Sequence, residues 1–512
     1  MSYLAHPPKE PAKVQDVASP NGRGTPPSLV LHLVSEHDPL GSPHTASIHN
    51  LDDDSLLYLC YLYRLAIFDD SEDQRDHLVG GRGWVRERWW YMLAQVCRRW
   101  RKLILGSASY LGLCLVCTYG TPVADMLAHS PPLPLVIDYF EEHRDIAAED
   151  EEGVILALEQ RDRVRRIRLE MHIPQLQKLV MAIDAEYPVL ECLIVPPSME
   201  VQSAALILSE TLQAPRLRHL VLRGFALPVG SRLLTTAVGI VILCLSMGHP
   251  AAYFPPDTLL RWISFMPQLE TLLIHSFTNR DLERQLMDAP TAAHVTLPNL
   301  RFLTFHGGIA YTEVVLCQIA TPRLQKLVIQ LPWQFTFSIP RLPQFMNSTE
   351  NLRFDSAKFE FSSEGIGVEF YPHEEAKTNI LSIYVYCWHL DWQVSSVARI
   401  FNSLSQIPST VEHLTLKQEV YSCSSEEHNE VDHTEWHKLL RSFSNVKTLH
   451  VDDGLVKELS RSLRLDDGEL PLELLPELQE LTYSGSGDGE DFASFIEARQ
   501  NAGRPVTLMR HR

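Results

Sequence analysis

The sequence predicts an α/β solenoid, a stack of helix–strand units, preceded by a small all-α module. Three observations carry that reading. An apolar anchor with large apolar residues three and five positions after it returns about every 28 residues, a spacing inside the leucine-rich-repeat range. The anchors are Val164, Leu190, Leu217, Ile240, Leu269, Leu300, Leu324, Leu352, Ile380, Val411, Val446 and Leu478. All but one keep the full motif, as in Leu217/Leu220/Leu222 and Val446/Leu449/Val451, and at Leu352 the polar Asp355 breaks it. Proline stands two residues before six anchors, at Pro188, Pro215, Pro267, Pro298, Pro322 and Pro476. Amphipathic stretches fill intervals between anchors: Leu176/Leu179/Val180/Ile183, Val397/Phe401/Leu404 and Trp436/Leu439/Leu440/Phe443 recur at helical spacing.

These observations define the unit as helix, proline break, short strand. Proline ends a helix because it lacks an N–H and clashes with the preceding turn, and the residues beside it start extended. One unit cannot bury its own apolar strand face, so neighbours stack into a parallel sheet backed by helices. The array is irregular, because its anchors accept Val and Ile as well as Leu and most repeats lack a following Asn. It is expected over residues 161–487, with a C-terminal cap helix and tail over 488–512.

The segments ahead of the array read differently. Residues 1–47 are rich in proline, show no sustained periodicity and are expected to be disordered. A helical module is expected over 48–108. Its first helix opens at Leu51-Asp52-Asp53-Asp54-Ser55-Leu56-Leu57, where carboxylates can accept the orphan N–H groups and meet the positive end of the dipole. Asp69 to Arg88 is charged and contains glycine, so it reads as a loop. A second helix runs from about Trp89 to Leu105, with Leu93, Val96, Cys97, Trp100 and Ile104 on one face and Arg98, Arg99, Arg101 and Lys102 around the rest. Residues 109–160 form an α/β connecting segment. It holds strand-like runs at Tyr110–Cys117 and Leu133–Tyr139, a short helix near Ala124–His129, and an acidic break at Glu141–Glu152.

Composition narrows the function. The chain of 512 residues has 64 acidic against 45 basic side chains and a net charge of −19, so it repels phosphate backbones and anionic bilayers. Neither nucleic acid nor a membrane is expected as a partner. Nine scattered cysteines give no disulfide framework. The first 50 residues lack the order of a signal peptide, and the longest apolar run, near Val238–Met247, is short of the roughly 20 residues that span a bilayer. A soluble cytoplasmic or nuclear protein is expected.

No catalytic group, cofactor or metal site is expected. Cys114-Leu-Val-Cys117 has no second pair nearby, and its thiols would leave a strand on opposite faces. His433-Thr-Glu-Trp-His437 lacks the glutamate directly after the first histidine that a zinc protease needs, even with Cys423 and His428 nearby. The acidic clusters Asp52–Asp54, Asp69–Asp73, Glu149–Glu152 and Asp488–Asp491 lack a calcium-loop pattern. Neither a phosphate-cradling glycine loop nor a Gly-x-Ser-x-Gly elbow is present.

Strand geometry says where a partner would bind. Side chains three and five after each anchor point to the core, so those two, four and six after it point to the opposite, concave face. That places Arg166, Arg168, Glu170, His219, Arg223, Thr271, His275, Phe302, Thr304, His306, Tyr384, Tyr386, His413, Lys417, His450 and Asp452 on that face. Arg and aromatic residues there are candidate hot spots for a protein substrate. Cys192/Ile194 and Ile242/Cys244 fall at the same positions, so that stretch is expected to be covered by a partner or by the chain itself.

The module also resembles a known family. Leu93-Ala-Gln-Val96-Cys97-Arg98-Arg99-Trp100-Arg101-Lys102-Leu103 follows the F-box pattern L-x-x-V-C-R-x-W-R-x-L. Leu51-Asp52-Asp53-Asp54-Ser55-Leu56-Leu57 resembles the family's opening, with Asp52 where the family usually has proline. An F-box ahead of irregular leucine-rich repeats is similar to the F-box proteins of the expanded fungal sets. The resemblance implies a non-catalytic substrate-recognition subunit of an SCF-type cullin ubiquitin ligase. Its helices would dock the Skp adaptor through apolar anchors at helical spacing, and its repeats would hold an as yet unknown protein substrate. The adaptor-facing set would be drawn from Leu51, Leu56, Leu57, Leu93, Val96, Trp100 and Leu103.

Overall fold

A computed structural model describes residues 51–68, 87–140, 146–196, 205–228, 230–276, 294–331, 339, 341–349, 352–372, 380–404, 406–419, 433–464, 473–484 and 490–511. The expected tail at 1–47, the body of the expected loop, and Cys423 and His428 lie outside the described residues. The chain divides into two units, Met1–Leu56 and Leu57–Arg512. Asp52 stands just before the helix Asp53–Phe68. The Asp52 carboxylate accepts the Ser55 N–H at 2.7 Å and the Ser55 hydroxyl at 3.1 Å, which is N-cap chemistry. Those bonds hold the Asp52 carboxyl below the usual carboxylate range.

The second unit is built on one sheet of 16 strands. They are β1 (Leu115–Cys117), β2 (Leu135–Phe140), β3 (Val164–Glu170), β4 (Cys192–Val195), β5 (His219–Arg223), β6 (Ile242–Ser246), β7 (Thr271–His275) and β8 (Phe302–His306), followed by β9 (Lys326–Leu331), β10 (Ser356–Phe361), β11 (Gly365–Tyr371), β12 (Ile380–Tyr386), β13 (His413–Gln418), β14 (Thr448–Val451), β15 (Glu480–Ser484) and β16 (Thr507–His511). Pairing is parallel from β1 to β9, from β9 to β12, and again from β10 through β13 to β16.

In-register pairing stacks like on like. Ile167, Leu193, Leu220, Leu243, Leu272, Leu303, Leu327 and Leu381 are successive Cα partners, and all are buried. Helices cover this face. Phe401 of the helix Leu390–Ser403 meets Phe359 at 5.7 Å and Phe370 at 5.3 Å between ring centroids, and Trp436 of the helix His433–Arg441 meets Phe361 at 5.8 Å. The prolines do more than end helices. The anchor N–H returns to the carbonyl before the proline, as in Leu190 to Tyr187, Leu217 to Ala214, Leu300 to Leu297 and Leu324 to Thr321. Each is a β-turn with proline at its second position, where a fixed φ near −65° is already correct. The next N–H then starts the ladder, as Arg218 does on Glu191 and Glu270 on Val241.

The structure corrects the sequence reading in four places. The sheet exceeds 161–487 at both ends: β1 and β2 come from the expected connecting segment, and β16 from the expected tail. The described part of the acidic break is helical from Ala148 to Glu159, because Glu149, Asp150 and Glu151 occupy its first turn and meet the positive dipole end. The expected helix from Trp89 to Leu105 is two helices, Trp89–Gln95 and Arg98–Gly106. Cys97 between them is extended (φ −160°, ψ 173°), and Arg101 Nε donates to the Ala94 carbonyl at 3.0 Å, replacing a partner that the break removes.

The fourth correction is at Leu352. There the array is interrupted by a hairpin, with β11 antiparallel between β10 and β12. Ser356 pairs with His413 and Lys326 with Ile380. The true anchor before β10 is therefore Phe354, and Ile380 lies two residues late in register. Both slips are even, so every side chain keeps its face.

Edge strand β1 is closed by the module. Arg88 donates to the Val116 carbonyl at 3.3 Å and Trp90 Nε1 to the Cys114 carbonyl at 3.1 Å, while the Val116 backbone also bonds Tyr91. Side chains thus occupy backbone groups that would otherwise template a further strand. Near the other end, the buried Arg499 donates to the Pro476 and Leu478 carbonyls at 3.0 and 3.1 Å, tying the helix Ala493–Asn501 to the turn before β15.

Gly307, just after β8, has φ +142°, and a Cβ there would lie 2.5 Å from the Ser276 carbonyl oxygen. Gly307→Ala should cost about 3 kcal/mol, from backbone strain and a clash that backbone cannot relieve. Gly120→Ala, at φ +70° with open space around it, should cost only about 1 kcal/mol. Urea denaturation midpoints of the two variants check the ranking.

Candidate protein-interaction surfaces

Among the described residues, two surfaces are candidates for contact with a macromolecule. The first is on the module. Cys60 is buried on the first helix, while Tyr58, Leu59, Leu62, Tyr63 and Leu65 are exposed. Tyr63 lies 6.3 Å from Trp89 and Tyr61 5.6 Å from Tyr110, ring to ring, which joins this helix to the following ones. On Trp89–Gln95 the side chains of Trp89, Trp90 and Ala94 face inward, and Met92 is 78% exposed. Val96, at the helix break, is 55% exposed.

The expected adaptor set divides accordingly. Leu56 and Trp100 are buried, and Leu51, Leu57, Leu93 and Leu103 are half-buried. Val96 is exposed. Leu59, Leu62, Tyr63 and Met92 escaped the sequence reading. Their signal was in plain view: the first helix, DDSLLYLCYLYRLAIF, is apolar around most of its circumference, which exceeds what one core contact can bury.

The second surface is the sheet face away from the large apolar columns. Its N-terminal part is occupied by the chain itself. Arg166 pairs with Glu87 at 2.5 Å. Arg168 is buried and pairs with Asp138 at 3.1 Å, with its guanidinium 4.6 Å from the Phe140 ring centroid. Burial pushes the Asp138 carboxyl up, against the pull of Arg168. Cys192, Ile194, Val221 and Cys244 form a buried cluster with Phe140 and Leu273 against it, and Arg223 bonds the Cys244 thiol. Burial, then the Arg166 and Arg218 charges, holds His219 below its usual value.

From β7 onward the face carries a half-buried run of aromatic rings. His275 and His306 stack at 4.0 Å, His306 and Tyr386 at 5.8 Å, and Tyr384 meets Tyr386 edge-on at 4.7 Å. Phe302 and His450 are half-buried on the same face, and His413 Nδ1 lies 2.7 Å from Thr448 Oγ1. Burial first, then the His306 and Arg223 charges, lowers His275 to about 4, and burial lowers His306. At neutral pH the His275 ring is therefore uncharged.

The chemical-looking motifs are used structurally. Cys114 clusters with Val116 and Val136, while Cys117 pairs in register with Ile137 and is pushed up to about 12 by burial. The His437 ring meets the Ser462 carbonyl at 2.5 Å. Among the described residues, no helix is long and apolar enough to cross a membrane.

No family model matches the chain, and no curated relative does. Among solved structures, it matches the leucine-rich repeat-containing protein LegL7 from Legionella pneumophila. Identity is 11%, over 77% of this chain and 99% of that one, with a TM-score of 0.24. A likeness that distant carries no argument, and the solenoid assignment rests on the strand order and register above.

Two outcomes are expected. Asp138→Ala strands a buried guanidinium and should cost about 3–5 kcal/mol, whereas Asp138→Leu with Arg168→Met should be near neutral. Denaturation midpoints of the three chains decide it. NMR titration should place His275 near 4, rising toward its ordinary value in His306→Ala. Because the folded value is depressed, the unfolded chain binds more protons between about 4 and 6.5, so stability should fall as pH drops through that window.

Proposed function

We propose that the chain is a non-catalytic protein-interaction receptor: its module docks the Skp adaptor of an SCF-type cullin ubiquitin ligase, and its sheet face holds a protein substrate. The observation that carries this reading is the outward set Leu59, Leu62, Tyr63, Met92 and Val96 in a helical module whose segment Leu93 to Leu103 resembles the F-box pattern. Large apolar side chains grouped on an otherwise acidic chain mark a docking surface. The receptor supplies proximity, raising the substrate's effective concentration near the ubiquitin-charged enzyme. Its place is the cytoplasm or nucleus, where that machinery works.

A second reading is a leucine-rich-repeat interaction scaffold without ligase association. Asp52 favours it, because the N-cap bonds to Ser55 give that position a structural use that proline lacks.

Co-expression with the Skp adaptor tests the first reading. The wild-type chain should co-purify with it in one complex. Met92→Glu with Val96→Glu should weaken the complex by about tenfold or more while the melting curve holds, since both side chains already face water. Leu56→Ala should instead lower stability by about 2–4 kcal/mol, the cost of truncating a buried leucine. No complex with the wild-type chain leaves the scaffold reading in place.

A further inference from the structure

The inserted hairpin makes a hollow on the open face, about 610 Å3 in volume. Its floor is set by glycine. Gly365 and Gly367 lie on β11 opposite Tyr386 and Tyr384. A Cβ at Gly365 would stand 3.1 Å from Tyr384 Cε1, and one at Gly367 3.5 Å from Tyr384 Cδ2. The Tyr384 ring therefore lies down over both glycines and forms one wall, and its hydroxyl bonds the Ser362 side chain. Glu360, Glu364, Glu369 and Glu419 line the rest, with Lys358 as the cation among them. Lys358 bonds Glu360 at 3.0 Å, and Lys417 lies beside Glu360 in register. Among the described residues, Glu364, Glu369 and Glu419 have no ion pair.

An aromatic face beside unpaired carboxylates is complementary to an organic cation. A metal ion fits poorly, because among the described residues no three acidic, histidine or cysteine side chains converge on one point. The hollow is also within the usual range for a specific site, while the apolar lining of a lipid or drug pocket is missing.

We propose that this hollow receives lysine or arginine side chains from a basic segment of the protein partner. This rests on the receptor reading and names the partner's chemistry. The hairpin is the docking surface, the carboxylates supply attraction, and Tyr384 supplies a cation–π contact. Burial of the guanidinium or ammonium is not required, since both can keep water on one side.

Fluorescence anisotropy tests it with the full chain and a short labelled peptide of alternating lysine and glycine. Binding should be saturable and weaken with salt, and the glutamate counterpart should not bind. The variant Glu364→Gln/Glu369→Gln/Glu419→Gln should raise Kd roughly tenfold, as three screened pairs imply. Tyr384→Leu should weaken binding severalfold and Tyr384→Phe should not. A charge-matched control, Glu149→Gln/Asp150→Asn/Glu152→Gln, should change little. Equal weakening by both triple variants, no saturation, or tighter binding of free spermine than of the peptide overturns the proposal. Thermal melts separate loss of site from loss of fold. The hollow variants should keep any adaptor complex, and Met92→Glu should keep peptide binding, so each reading fails independently.

Discussion

In-register parallel pairing is the constraint on which everything else depends. From β3 to β9 each strand meets the next without offset, so the third and fifth positions after successive anchors become continuous apolar columns. Those columns give the helices a surface to cover, and they fix the other positions on the opposite face. The proline turns protect this alignment. Each places the anchor one step before the ladder begins, so a turn error of one residue would move leucines to the open face and charged residues into the core.

In a sheet built this way, the β1 edge and the one interruption each receive specific treatment. The module's Arg88, Trp90 and Tyr91 engage the backbone of β1, so conserving edge closure and presenting an outward apolar surface fall to opposite sides of the same short helices. The interruption is the hairpin. An antiparallel strand between two parallel blocks lets the chain reverse twice, and the two even register slips keep the columns intact across it. Glu313 adds a tie just before it: buried on the helix Ile309–Leu316, its carboxylate accepts the Arg341 and Leu342 N–H groups at 2.6 and 3.0 Å, joining one repeat's helix to the next.

The features legible in the sequence were those set by period and by local backbone chemistry. Ten of the twelve anchors, the proline breaks and the helices around Leu176, Val397 and Trp436 follow from alternation or from fixed dihedrals. What escaped was decided by long-range partners. Phe354 and Ala357 form an ordinary motif, but Leu352 and Asp355 lie closer to the expected spacing, and only pairing with β13 selects the right register. The break at Cys97 has no proline or glycine to announce it. On the open face, parity placed Arg168 correctly, but its burial comes from Asp138 on a neighbouring strand, which no periodicity reports.

That last point redistributes the open face. Toward its N-terminal end, charges are neutralised within the chain, by Glu87 on Arg166 and Asp138 on Arg168, and small side chains such as Cys192 and Cys244 are already buried. A partner arriving there would have to break pairs whose removal is costly. From His275 onward the face carries the half-buried rings of His275, His306, Tyr384 and Tyr386, with burial holding both histidines below their usual value, and at the hairpin three carboxylates have no ion pair among the described residues. Desolvating neutral rings costs little, and unpaired carboxylates gain from an incoming cation. Under the proposed function, recognition would therefore fall to the second half of the sheet, while the first half holds the fold against the module.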